Sequence, residues 1–482
     1  MKKLIYTIGI SLGIIAYSFG QNATDALRYS QNFIGGTARS VSMAGAFGAL
    51  GGDMISLSYN PAGIGVYRKS EFVFSPTINY SLNNASYLEN AYSDFKYNLN
   101  FNNVGLIGAF TSDRDEGWVS TNVGVVYNKL NDFNQNILIE GENTSNSITD
   151  YFARLAKGKN STTFSYFNEG LAWDAYLINP VDSLTNTYES VLNKYGETQR
   201  KIIKTEGGIN ELAFSLGANF SHKIYVGATL GIQSVNYEEN SIYSEEDLNY
   251  DIDSFASMTY NQHLLTTGAG FNLKIGTIFR PIDWIRVGIA VHTPTFYNLK
   301  DEYESNITAL YDFGAEYEVN SPKGSFDYEL STPLKAIGSM AFVIKQSGLI
   351  SFDYEFVVYT TARLRSDDYS FFDENMDVQD NLVAVSNIRA GAEYRFGPYS
   401  FRGGYALYGN PYNKNSTNNK VTYSSFSGGF GIKDEVFFFD LAYVLTKSKT
   451  NYFMYDPSVI TNDPASITNL KHKIIATFGF KF

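Results

Sequence analysis

Apolar and polar positions alternate along most of this chain. Ile224, Val226, Ala228, Leu230 and Ile232 are apolar, and Tyr225, Gly227, Thr229, Gly231 and Gln233 stand between them. The same pattern runs through Leu212–Phe220, Ile285–Val291 and Ile350–Val358. A period of two sends alternate side chains to opposite faces of a β-strand. One face here is greasy and the other is small or polar. The pattern predicts fourteen strands, at 70–82, 101–111, 118–131, 209–221, 224–239, 263–279, 284–297, 332–345, 349–363, 386–396, 399–408, 424–433, 436–448 and 471–482.

The connections alternate in length. Short ones at Asp113–Gly117, His222–Lys223, Arg280–Asp283, Gln346–Gly348, Gly397–Pro398 and Asp434–Glu435 are separated by long ones around 83–100, 132–208, 240–262, 298–331, 364–385, 409–423 and 449–470. Tight turns at a periplasmic rim and long outer loops are the pattern of a transmembrane β-barrel. An even strand count puts both termini on the periplasmic side. Ile474, Ala476, Phe478, Phe480 and Phe482 share one face of the last strand, an ending that resembles the signal read by the barrel-assembly machinery. A soluble β-sandwich would use shorter, more uniform loops and leaves the loop alternation unexplained. The loop 132–208 is too long to lack structure of its own. Ile148–Leu155 and Phe167–Tyr176 are spaced for one or two short helices capping the outer mouth.

Composition narrows the class further. Lys2 and Lys3, the apolar stretch Leu4–Tyr17 and the small residues Ser18 and Gly20 read as a signal peptide over 1–20. Without it the chain carries 35 basic and 49 acidic residues, about −14. That balance excludes nucleic acid as a partner, because phosphate binding needs clustered Lys and Arg. There is no cysteine, so disulfides and thiolate metal sites are excluded. No later run of apolar residues is long enough for a membrane-spanning helix.

Residues 21–69 break the strand pattern. They contain Gly35-Gly36, Gly45-Ala46-Phe47 through Gly51-Gly52-Asp53, and Asn60-Pro61-Ala62-Gly63. Pro61 presets a turn, Asn60 favours its start and Gly63 its end. Phe33, Met43, Phe47, Leu50, Ile55 and Leu57 call for burial. A small-residue segment before the first strand is suited to fold back into a barrel lumen.

These stretches, with Asp25-Ala26-Leu27-Arg28-Tyr29-Ser30, the fourteen strands and the terminal Phe, resemble the outer-membrane transporters of long-chain fatty acids and other hydrophobic compounds (the FadL/TodX-like family), in their Bacteroidetes-type branch. The resemblance implies an all-β fold: a 14-stranded antiparallel transmembrane β-barrel over 70–482 with a small N-terminal hatch, or plug, over 21–69. It implies a hydrophobic pocket beside the hatch, and a hatch movement that opens a route, one version of which exits sideways through the wall. Gly35, Gly36, Gly51 and Gly52 are then candidate hinges, and Asn60, Pro61, Ala62 and Gly63 the turn that shapes the hatch.

Candidate chemistry is sparse. His222, His263, His292 and His472 are scattered and predict no metal or haem site. Arg286, Asp353, Glu355, Arg389, Glu393, Arg395, Arg402 and Asp440 fall on the lumenal phase. A two-residue turn at Gly397-Pro398 sets Glu393 opposite Arg402. That pair stiffens the wall, or Arg389 and Arg395 clamp a ligand carboxylate. The acidic stretches Glu245–Asp253 and Asp367–Asp380 match no calcium loop, and Gly45–Asp53 lacks the Lys-Ser/Thr of a P-loop. No catalytic set and no cofactor or metal are expected. The leading expectation is a monomeric, passive channel for fatty-acid-like molecules, surrounded by outer-membrane lipid and lipopolysaccharide. The alternatives are a barrel that partners protein-secretion machinery and a haem receptor. A plug of about 49 residues is small for such a receptor, whose barrel has about 22 strands.

Overall fold

A computed structural model describes residues 23–33, 35–182, 185–345, 347–416 and 418–482. The expected signal peptide over 1–20 lies outside the described residues. Among those described, fourteen antiparallel strands close into one barrel. They are β1 Glu71–Tyr87, β2 Asn90–Thr111, β3 Trp118–Asp132, β4 Glu197–Phe220, β5 Ile224–Glu246, β6 Ser257–Ile282, β7 Ile285–His292 continued by Phe296–Leu310, β8 Gly324–Ser331 continued by Lys335–Ile344, β9 Gly348–Val358, β10 Ala384–Phe396, β11 Tyr399–Tyr408, β12 Thr422–Lys433, β13 Phe437–Tyr452 and β14 Ala465–Lys481. Closure is made by β1 on β14, from Glu71↔Lys481 to Ser86↔Ser466. Closure satisfies the strand edges in lipid, except along β2 above Asn103, where pairing with β3 stops. Leu212, Phe214, Leu216, Phe271, Leu273 and Ile275 are among the apolar side chains exposed on the outer face, where lipid replaces water. No described helix is long and apolar enough to cross a membrane.

Several strands run further than hydrophobic alternation predicts. Residues 83–100, expected as a long loop, are the outer ends of β1 and β2, joined at Leu88 and Glu89. Both have positive φ, 44° and 67°, as a two-residue hairpin turn of the primed kind requires. The turn lacks the Asn-Gly pair that would announce it, and the ladder around it is rich in Asn and Ser, so the apolar rhythm fades. The connections 240–262 and 298–331 shorten for the same reason, with β5 reaching Glu246 and β7 reaching Leu310. The predicted strand 284–297 contains a break at Thr293-Pro294-Thr295, and β8 breaks at Thr332-Pro333-Leu334. Each proline removes a ladder donor.

The long connection 132–208 holds a strand, Gln135–Asn143, that pairs with Glu197–Thr205 of β4. It also holds helices over Ile148–Ala156 and Glu169–Asp174, and the hairpin Ile178–Asp182 with Thr187–Ser190. Together they bury Phe152, Leu171, Leu177, Tyr243 and Phe255 as a cap. At the same rim the N-terminal helix Ala23–Ser30 meets the helix Phe372–Asn381, where Ala23 N donates to Asp377 Oδ2 at 3.1 Å. The described chain therefore begins at the long-loop rim. Strand parity fixes only the ends of the barrel itself, and the segment before β1 runs up through the lumen.

The cap is fastened by a carboxyl pair. Glu245 accepts hydrogen bonds from Ile148 N at 2.8 Å, Gln199 Nε2 at 3.0 Å and Tyr243 Oη at 2.5 Å, and from Ser147 Oγ. It thereby holds the first turn of the helix Ile148–Ala156. Gln199 Nε2 also donates to Glu197 Oε1 at 3.1 Å. Burial, reinforced by the charge of Glu245, pushes Glu197 up from 4.5 to about 9. Burial raises Glu245 to about 7, with Asp150 adding repulsion. A raised carboxyl pKa means that the docked cap favours the protonated form. Its stabilisation is complete below about pH 4.5 and is lost as pH rises through 7 towards 9. Hydrogen exchange of Ile148–Ala156, corrected for intrinsic rates, should quicken roughly tenfold between pH 6 and pH 9, the worth of about one pKa unit. Glu197→Gln should flatten that dependence, and an unchanged profile would show that the pair does not hold the cap.

Candidate functional site

Short helical turns interrupted by glycines shape the hatch. Thr37 caps Ala38–Ser42, its Oγ1 accepting from Ser40 N at 3.1 Å, and donates to Asp53 at 2.8 Å. Asp53 caps the turn Met54–Leu57 by accepting from Ile55 N at 3.2 Å. Asn60 caps Pro61–Val66: its Oδ1 accepts from Ala62 N at 3.2 Å and its Nδ2 donates to Gly48 O at 2.5 Å. Gly36, Gly51 and Gly52 have positive φ, 98°, 63° and 64°. Gly52 N donates to Gly63 O at 3.0 Å. The candidate hinge at Gly51-Gly52 and the turn Asn60–Gly63 thus rest on each other.

The hatch's turns are bonded within themselves, and the wall provides partners for backbone groups that the turns leave over. Arg286 donates to Leu50 O at 2.5 Å, His292 Nε2 to Tyr59 O at 2.7 Å, and Asn122 to Ile64 O at 2.7 Å and Tyr67 O at 2.9 Å. Asn102 donates to Gly36 O. Asp353 Oδ2 accepts from Gly48 N at 3.1 Å. Contact is close because the wall is lined by glycine where the hatch touches it. A Cβ on Gly288 would stand 2.3 Å from Gly48 O, and one on Gly404 would stand 2.4 Å from the Met43 carbonyl carbon.

The lumenal charges separate into two groups. Towards the tight turns, Glu393 and Arg402 face each other in register, with Nε to Oε2 at 2.6 Å. Arg395 joins Glu393 at 2.6 Å, Arg402 reaches Asp440 at 2.5 Å, and the hatch's Arg39 adds a contact to Glu393 at 3.1 Å. Arg395 and Glu393 are therefore tied to each other, and Arg402 to both carboxylates. Higher in the lumen, Arg389 pairs with Glu355 at 3.3 Å and donates to Tyr59 Oη. It lines a cavity of about 70 Å³ with Phe33, Ile55, Tyr59, Leu130, Lys274, His292 and Lys335. Lys274 is paired with Glu211. Lys335, 8% exposed, has no carboxylate within ion-pair distance among the described residues. Lys274 and Lys335 were not among the candidates read from the sequence, although the strand phase already turns both inward.

The wall beside the hatch is incomplete. β2 pairs with β3 only from Asn103 to Thr111, whereas β3 continues on β4 to Asp132. The register of β1 on β2 skips Asn102, a bulge at the point where the two strands part. Above it side chains alone bridge the slot. Asn98 and Asn100 donate to Asp132 Oδ2 at 3.3 and 3.0 Å, and Lys96 meets Glu206 at 2.7 Å. Phe95, Tyr97, Leu99 and Phe101 are exposed along this edge, Leu99 by 75%.

The histidines do not converge. His292 holds the hatch, His472 lies against Tyr443 at 2.8 Å, His222 sits at a turn, and His263 contacts Asn240. Among the described residues no cluster of His, Asp and Glu is suited to a metal ion.

Fold and lumen together define a transmembrane β-barrel occupied by its own N-terminal segment. Solved structures share this architecture. A Pseudomonas aeruginosa FadL homologue has a TM-score of 0.55 at 11% identity, with 94% of this chain and 100% of that one covered. The P. putida toluene transporter TodX has a TM-score of 0.53 at 10% identity, with 93% and 99% covered. These likenesses establish the fold. The sequence matches no protein-family model and no curated protein.

The glycine lining makes a sharp prediction. Gly288→Val should drive the hatch off the wall, because the new Cβ meets backbone that cannot rotate away. Gly403→Val should not, since the nearest atom to a Cβ there is 3.9 Å away. Trypsin cleavage after Arg39 in folded barrels should rise strongly for the first variant and stay at the wild-type level for the second. Asn60→Ala should also loosen the hatch, by about 1 kcal/mol for the lost cap, read in the same assay.

Proposed function

We propose that this barrel is a passive outer-membrane channel for long-chain fatty acids and similar hydrophobic molecules, gated by residues 21–69. The cavity between hatch and wall carries the reading. It joins apolar and aromatic groups (Phe33, Ile55, Tyr59, Leu130) to Lys335, a cation with no carboxylate within ion-pair distance among the described residues, beside the neutralised pairs of Lys274 and Arg389. A buried cation in excess favours a ligand that brings an anion, so a fatty acid suits this site better than a neutral arene. The solved structures of similar fold are described as a FadL homologue and a toluene transporter, which supports hydrophobic cargo in general.

At about 70 Å³ the cavity holds some two waters, at roughly 30 Å³ each. An acyl chain enters only when the hatch yields. The slot between β2 and β3, edged by Phe95, Tyr97, Leu99 and Phe101, offers a lateral way out towards lipid. In this reading the tight turns face the periplasm, the cap faces outward, and the channel acts as a monomer.

The test is uptake of radiolabelled oleate by a strain lacking its own fatty-acid channel. Saturable uptake should appear with this protein and vanish when 21–69 is deleted from a barrel that still assembles. Lys335→Gln should lower oleate uptake about tenfold, the loss of one charge-assisted hydrogen bond of ~1.5 kcal/mol, and leave oleyl alcohol uptake unchanged. No uptake by a folded, surface-exposed barrel would refute the fatty-acid reading.

A further inference from the structure

A second cation cluster lies beyond the first cavity. Lys129 and Leu130 on β3, Tyr408 on β11, Tyr423 on β12, Val444 on β13, and Lys471 and Lys473 on β14 enclose a cavity of about 40 Å³ with the hatch's Phe33. The only carboxylate lining it is Asp132. That carboxylate is already engaged by Asn79 at 2.9 Å, by Asn98 and Asn100, and by Asn134 at 3.0 Å. Lys129 approaches it at 3.4 Å, and Lys471 donates to the Asp132 backbone oxygen at 2.9 Å. Lys473 has no carboxylate within ion-pair distance among the described residues. Three ammonium groups and one carboxylate leave an excess of two positive charges in an enclosed lumen. Such an excess is costly unless an anion enters.

This cavity shares Phe33, Lys129 and Leu130 with the pocket of Lys335. Phe33 is the partition. Its ring stacks on Tyr423 at 4.5 Å and meets Tyr408 edge-on at 5.5 Å, and its N–H donates to Leu130 O at 3.0 Å. Asp132, which lines the second cavity, is also the residue that Asn98 and Asn100 use to bridge the slot. The second cavity therefore stands between the first pocket and the slot.

From this arrangement we infer that Lys129, Lys471 and Lys473 form a second binding station for the anionic head group of a single-chain amphiphile, with Phe33 as the gate between the stations. The inference rests on the channel reading and adds an ordered path to it. The head group leaves Lys335, passes the displaced Phe33 ring and is held by the three lysines, while the chain lies along Leu130, Tyr408 and Val444 on its way to the slot. Both stations offer cations, so the charge is not stripped of partners between them.

The test uses the purified full chain and palmitate carrying a diazirine next to its carboxylate, with photolabelled peptides mapped by mass spectrometry. Label is expected in the segment around Lys335 and in the segments around Lys129 and Lys471–Lys473. In the double variant Lys471→Gln with Lys473→Gln, label at the second station should fall about tenfold while label near Lys335 persists. Phe33→Ala, which removes the partition and alters no lysine, should shift label from the first station to the second, and it provides the test should the lysine variant fail to assemble. Competition by palmitate assigns the station to a carboxylate, and competition by lysophosphatidate alone to a phosphate; either supports an anion station. Label confined to the Lys335 segment, in wild type and in Phe33→Ala, overturns the second station and leaves the channel reading standing. Label confined to the Lys471–Lys473 segment supports the station and removes the first pocket from the reading. Label at neither overturns both.

Discussion

The structure depends on contact between the hatch, whose tight turns leave some backbone groups over, and a wall that satisfies them. Fourteen closed strands leave an interior that must be filled, and the hatch fills it with short turns that are bonded within themselves and buried against the wall. Arg286, His292, Asn122 and Asn102 donate to hatch carbonyls, and Asp353 accepts from a hatch amide. Close approach is permitted by inward glycines such as Gly288 and Gly404. Each such hydrogen bond contributes only about 1 kcal/mol net. The hatch is held by many such small terms, together with the apolar contacts of Met43, Phe47, Leu50, Met54, Leu57 and Ile64.

The charges follow the same division of labour. Near the tight turns, Arg39, Glu393, Arg395, Arg402 and Asp440 form one connected network. Buried ion pairs of this kind add little net stability but fix register, and here they join hatch to wall. Higher up the balance shifts to cations, at Lys335 and at Lys129, Lys471 and Lys473. Charges paired in one network at the base give way, above, to lysines outnumbering the carboxylates beside them, along the path that the proposed cargo takes.

The amino-acid sequence reveals the wall well because a strand with one face in lipid must alternate strictly. Tight turns, strand phase and the inward aim of Arg389, Glu393 and Arg402 all follow from that period. Legibility fails where the constraint fails. Around the turn at Leu88 and Glu89 the strands are rich in Asn and Ser, so the ladder reads as a loop although Phe95, Tyr97, Leu99 and Phe101 still alternate along β2. Thr293-Pro294-Thr295 interrupts a strand without altering the flanking rhythm. The lysine cluster is hidden for a different reason. Lys129 and Lys473 are 344 positions apart and meet only through closure of β1 on β14, which no local pattern encodes. Phe33 is legible as a residue that needs burial, but its role as a partition appears only when the two cavities beside it are seen.

In the proposed route the same geometry assigns motion to the hatch and the slot rather than to the barrel. Widening the wall where ladders are complete would break a row of backbone hydrogen bonds that lipid cannot replace. Between β2 and β3, above Asn102, there is no ladder to break. Opening there separates Lys96 from Glu206 and the Asn side chains from Asp132, groups that water or an incoming head group replaces at little cost. Phe33 is held by one backbone hydrogen bond and two ring contacts, aromatic pairs being worth roughly 0.5–1.5 kcal/mol each. Both elements that block the proposed path are held by side-chain contacts and a single backbone hydrogen bond, and both adjoin the lysines of the second cavity. In the proposed route an anion arriving at Lys473 stands beside Asp132, the carboxylate to which Asn98 and Asn100 bridge the slot, so the second station adjoins the exit it serves.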